Sequence, residues 1–165
     1  MKKQNAAKAL LASILVAATP QQEQMNAVNK TVESIQELTF NQAQSCEVIT
    51  NLNLLKQRVA MLNSFLAADK FRVNHLHKDL PDLINIRDSV QSVVVLVRNY
   101  LVERKTFSEY KNELRAFSNE VFKLNIALGN IKNNHKQFNI VDTGISFNQN
   151  ELENLITDSN KVHSV

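Results

Sequence analysis

The sequence predicts an all-α fold: a long antiparallel helical hairpin with coiled-coil-like heptad packing, or in the alternative an up-down four-helix bundle. Three observations carry that prediction. Apolar residues recur at helical spacing along nearly the whole chain. Glycine and proline number only two each in 165 residues, so turns needing special backbone angles are scarce. A chain this poor in turn residues, with no tryptophan, is hard to write as a sandwich or barrel.

The first segment, residues 1–18, reads as a secretory signal peptide. Lys2, Lys3 and Lys8 form a basic start, and Ala9 to Ala18 is apolar apart from Ser13. That run is too short to span a bilayer. Val16-Ala17-Ala18 before Thr19-Pro20 suits a cleavage site. The competing reading is a first amphipathic helix, because Leu10, Leu11, Ile14 and Leu15 fit one helical face. The leader also explains the charge. All 16 acidic residues lie at or after Glu23, and without the three leader lysines the 19 basic residues fall to 16, a balance of zero. A nucleic-acid surface needs a basic patch to neutralise phosphates, so nucleic acid is not expected as a partner.

Residues 19–137 read as the helical domain. Thr19-Pro20-Gln21-Gln22 has capping-box spacing, with proline at the first helical position. Met25, Val28, Val32, Ile35, Thr39, Gln42, Cys46 and Ile49 then keep one heptad register. Leu52, Leu55, Val59, Leu62, Leu66, Asp69, Val73 and Leu76 keep another, offset by three residues, which predicts a stammer in one continuous helix. His77-Lys78-Asp79-Leu80-Pro81-Asp82 is the predicted break, with Asp79 as cap. From Leu83 to Ile131 the spacing keeps to threes and fours and reads as one continuous heptad pattern, with Arg104 the one polar member. The expectation is two helices, roughly 20–77 and 82–135, each about 80–90 Å long at about 1.5 Å per residue. The four-helix alternative breaks them near Asn41–Ser45 and Arg104–Thr106, where Thr106-Phe107-Ser108-Glu109 forms a second capping box. Residues 138–165 read as an extended segment, Phe138 to Phe147, followed by a short helix after Asn148.

Few residues suggest chemistry. Asp142-Thr143-Gly144, between Ile140-Val141 and Ile145-Ser146, resembles the nucleophile site of aspartic proteases, which implies paired aspartates that share a proton and activate water. That family is built of β-strands, whereas helical pattern fills everything upstream here, so the residues read as a polar turn. His75 and His77 are two apart on a helix and point to opposite sides, so with Asp79 they make no chelate. His135 and His163 are isolated. Asn29-Lys30-Thr31 is a glycosylation sequon, incidental beside a bacterial-looking leader. Cys46, the only cysteine, can form no intramolecular disulfide; its place on the stripe predicts a small buried residue, and the other reading is a bridge between two chains. Val93 to Val97 is the most apolar run and reads as bundle interior.

Leu38-Thr39-Phe40-Asn41-Gln42 matches the LTxxQ signature and in this resembles the small periplasmic stress chaperones, exported helical hairpin proteins. The resemblance implies client binding on a concave apolar and basic face. It covers one copy of a motif that those proteins usually carry twice.

The sequence therefore predicts no catalytic, cofactor-binding or metal site, and no enzyme. It predicts an exported helical protein, periplasmic or secreted, acting through protein–protein contacts: a binding protein, chaperone or secretion or appendage subunit. Self-association through an uncovered heptad stripe is expected as an option. The alternatives are a membrane-active helical toxin or effector, with the Val90–Val97 segment as its contact, and a cytoplasmic or virion structural protein.

Overall fold

A computed structural model of the protein describes residues 20–68 and 73–134, together with Asn150 and Asn154, both helical. The predicted leader, the extended segment with Asp142-Thr143-Gly144, and His135 and His163 lie outside the described residues. Within residues 20–134 the described chain forms four helices: α1 (Pro20–Phe40), α2 (Ser45–Ala68), α3 (Val73–Glu103) and α4 (Phe107–Asn134). They pack up and down as a four-helix bundle. α1 lies against α2 and α3, and α4 against the same two, while α2 and α3 barely touch. The long hairpin is thereby corrected: each half of the chain folds back on itself.

Both breaks have an identifiable local cause. After α1, the Gln42 N–H bonds the Thr39 carbonyl at 3.2 Å and the Ala43 N–H bonds that of Leu38 at 2.9 Å. After α3, the Lys105 N–H bonds Val102 at 3.1 Å and the Thr106 N–H bonds Leu101 at 2.9 Å. This pair of bonds is a Schellman cap, which satisfies carbonyls left open at a helix end. It requires a left-handed residue, supplied by Gln42 (φ 61°) and Lys105 (φ 60°) instead of the usual glycine. The predicted stammer is thus a chain reversal. The second register extends back from Leu52 through Val48 to Ser45, all buried, so the three-residue slip marks the turn itself.

The predicted break at His77–Asp82 is also overturned. α3 runs from Val73 through Pro81 without interruption. Pro81 is exposed, so its ring displaces no packing, and the helix forgoes one backbone bond there. Asp79 does not cap. It is buried and accepts a hydrogen bond from Gln21 Nε2 of α1 at 2.8 Å.

The core is the heptad stripe turned inward from all four helices. Val28, Ile35, Leu52, Leu55, Leu62, Leu83, Val97, Phe107, Phe117 and Leu124 are fully buried, each such side chain contributing about 1.5–3 kcal/mol by leaving water. Val93, Val94 and Val97 are buried as well, and Val95 and Leu96 half-buried, so the apolar run faces into the bundle. Among the described residues no helix is long and apolar enough to cross a membrane. Thr39, polar on the stripe, returns its hydroxyl to the carbonyls of Ile35 and Gln36, both at 3.0 Å. Polar ties link each pair of adjoining helices. Gln21–Asp79 joins α1 to α3, and Arg58 Nη1 donates to Thr31 Oγ1 at 2.7 Å between α2 and α1. Asn125 Nδ2 donates to Gln91 Oε1 at 2.9 Å between α4 and α3, and Asn63 Nδ2 to Glu120 Oε1 at 3.3 Å between α2 and α4. Directional bonds of this kind hold one helix register against its neighbours, where apolar contacts alone tolerate slippage.

Candidate contact site at the turn end of the bundle

The two Schellman turns lie side by side at one end of the bundle and are bonded together. Tyr100 donates its hydroxyl to the carbonyl of Ala43, and the hydroxyls of Ser45 and Thr106 share a hydrogen bond of 2.8 Å. The Arg104 guanidinium lies 5.2 Å from the centre of the Tyr100 ring, within cation–π range. Four segments of chain thus meet in one bonded cluster, and two grooves open beside it.

The first groove runs between the C-terminal turns of α1 and α3 and encloses about 500 Å³. Val93, Leu96 and Tyr100 supply its apolar wall, and Gln36, Asn99 and Glu103 polar groups. Phe40 lines it too, yet its side chain is 85% exposed, the most exposed of the large apolar residues described. α1 ends at Phe40 and the chain reverses at once. Phe40 also stands next to buried Thr39 and hence off the buried stripe.

The second groove, about 560 Å³, lies between the turns and is more polar, with Gln44, Cys46, Arg104 and Tyr110 on its walls. Cys46 is exposed, not the buried residue expected, because the α2 register begins at Ser45 and Val48 and leaves it on the outside. Its thiol stands 3.7 Å from Gln44 Oε1. Partial burial, with Glu109 adding negative charge alongside, pushes the Tyr110 phenol above its ordinary pKa and keeps it neutral.

The other residues weighed from sequence do not gather into a site. His75 falls in the first turn of α3 and His77 just beyond it, and Asp79 is engaged with Gln21. Among the described residues, no group of three or more His, Cys, Asp or Glu is placed to hold a metal ion. The sequon lies within α1, where Thr31 is buried, bonds the Ala27 carbonyl at 2.8 Å and accepts from Arg58. The LTxxQ residues form the α1 C-cap: Leu38 and Thr39 supply the capped carbonyls, and Gln42 the left-handed position. Phe40 and the groove beside it were missed by sequence reasoning. The available signal was an aromatic residue off the stripe, placed where the register slips.

No protein-family model matches the chain, and no curated protein or solved structure does so either.

Proposed function

We propose that the protein is an exported helical bundle that acts by protein–protein contact, not catalysis, and that the turn end carries the contact. The observation behind this reading is Phe40, 85% exposed at the lip of a groove with apolar walls. A single exposed apolar residue is ordinary on a protein surface. An exposed aromatic ring beside an open groove of this size is less so, because the two together offer a knob and a recess, the geometry in which aromatic residues dominate interface energetics. The bonded turns hold that surface rigid, which lowers the entropy lost on binding. The export half of the proposal rests on the basic, then apolar leader at residues 1–18.

Two measurements test it. Replacing Phe40 with a photo-crosslinking phenylalanine analogue in the producing cell should yield a protein adduct of defined mass, whereas the same probe at exposed Asn112 should not. The intact mass of the native product should show the leader removed. Absence of any adduct sinks the contact surface, and an intact Met1 on the mature protein sinks export.

A further inference from the structure

We propose that the turn-end face pairs with a second copy of this chain, each Phe40 ring entering the other copy's groove between α1 and α3. This rests on the protein-contact reading above and names the partner. The apolar stripe is largely unavailable, because its described apolar members from Met25 to Ile131, Cys46 and Tyr110 apart, are buried inside the bundle. Phe40 is more exposed than Leu54, Met61 or Ile126, and at the turn end a protruding ring and a recess lie on the same patch of surface. A two-fold axis beside such a patch sets each ring against the opposite groove and closes the assembly at two copies. The exposed charges at this end also match themselves: Glu103 on the groove wall is followed directly by exposed Arg104 and Lys105, so two facing copies can oppose unlike charges. A patch confined to one end of a bundle is small, and the dimer should dissociate on dilution in the micromolar range.

Sedimentation of the full chain over a dilution series tests the pairing, alongside Phe40→Asp. That change sits on a side chain already in water, so circular dichroism should show it folded. The wild type is expected to shift from dimer to monomer on dilution, with association weakened by about tenfold or more in Phe40→Asp. A second arm mixes chains carrying Phe40→Cys with chains carrying Leu96→Cys, both in a Cys46→Ser background. Oxidation should join the two kinds to each other. A wild type that stays monomeric throughout, or a dimer indifferent to Phe40→Asp, overturns the proposal. A monomer that still forms an adduct with a different protein at position 40 overturns self-pairing alone and leaves the contact reading intact, whereas no adduct of any kind removes both.

Discussion

The Tyr100 hydroxyl, near the end of α3, donates to the carbonyl of Ala43 in the turn between α1 and α2. It ties the first hairpin to the second at a point where the tyrosine is otherwise buried, 5% exposed. An intramolecular hydrogen bond exchanged against water contributes about 1 kcal/mol net. Tyr100→Phe keeps the ring and its packing and removes only this bond. It should lower stability by about 1 kcal/mol in urea unfolding without changing helix content. Adding Ser45→Ala, which removes the neighbouring bond to Thr106, should cost less than the sum of the single changes, because a turn cluster acting as a unit loses its coupling with either change alone.

The two left-handed turn residues give a second prediction with the opposite sign. Gln42 and Lys105 adopt φ near +60°, where a Cβ crowds the following carbonyl and glycine does not. Gln42→Gly and Lys105→Gly each relieve that strain and each add freedom to the unfolded chain, which offsets part of the gain. Each should stabilise by about 0.5–1 kcal/mol. Gln42→Val, a β-branched residue in the same conformation, should instead destabilise. Equal stabilities for the glycine and valine variants in denaturant titration would refute the Schellman assignment.

How much of this was legible in the sequence differs between the two halves, and the reason is geometric. The inward faces of α1 and α2 followed directly from apolar spacing, since Met25 to Ile35 and Leu52 to Leu66 are buried as their registers require. The slip between those registers was visible but ambiguous: an over-wound helix and a chain reversal both shift the phase. In the second half the reversal leaves a similar slip, since Arg104, Phe107 and Tyr110 stand three and three residues apart, but the apolar positions on either side still read as one run. Tyr100 and Phe107 stand seven residues apart, both point inward, and the turn between them occupies the span that one heptad would. That three-three spacing, the polar Arg104 and the capping spacing of Thr106 to Glu109 marked the break. Neither turn has the glycine that normally announces a Schellman cap. The groove was illegible for a different reason, since it depends on α1 lying beside α3, a pairing between helices not consecutive in the chain.

The placement of Cys46 separates the two accounts of that first slip. In a continuous over-wound helix Cys46 occupies the core stripe. In the bundle it is exposed and Leu52 is fully buried. Cys46→Ser should therefore change stability by no more than about 0.5 kcal/mol, as surface substitutions do. Leu52→Ala should cost about 2–5 kcal/mol through lost burial and the cavity left behind. Thiol-reactive labelling of the native protein provides an independent check, and slow labelling that requires unfolding would contradict the exposed position.

Pro81 distinguishes a helix that starts at the predicted break from one that runs through it. α3 begins at Val73, so Pro81 lies in its interior, where a proline forfeits the bond to the carbonyl four residues back and crowds it. Alanine at such a site is favoured by up to about 3 kcal/mol, less what the freer unfolded chain gives back. Pro81→Ala should therefore raise stability by about 1–2 kcal/mol, with mean residue helicity unchanged or slightly higher. Had the helix begun at Pro81, the proline would sit at the first helical position, where its missing N–H costs nothing and its fixed φ favours the fold. The same substitution would then be neutral or destabilising. Because Pro81 is exposed, no change in packing confounds the comparison, and the sign of the shift in the urea midpoint decides between the two starts.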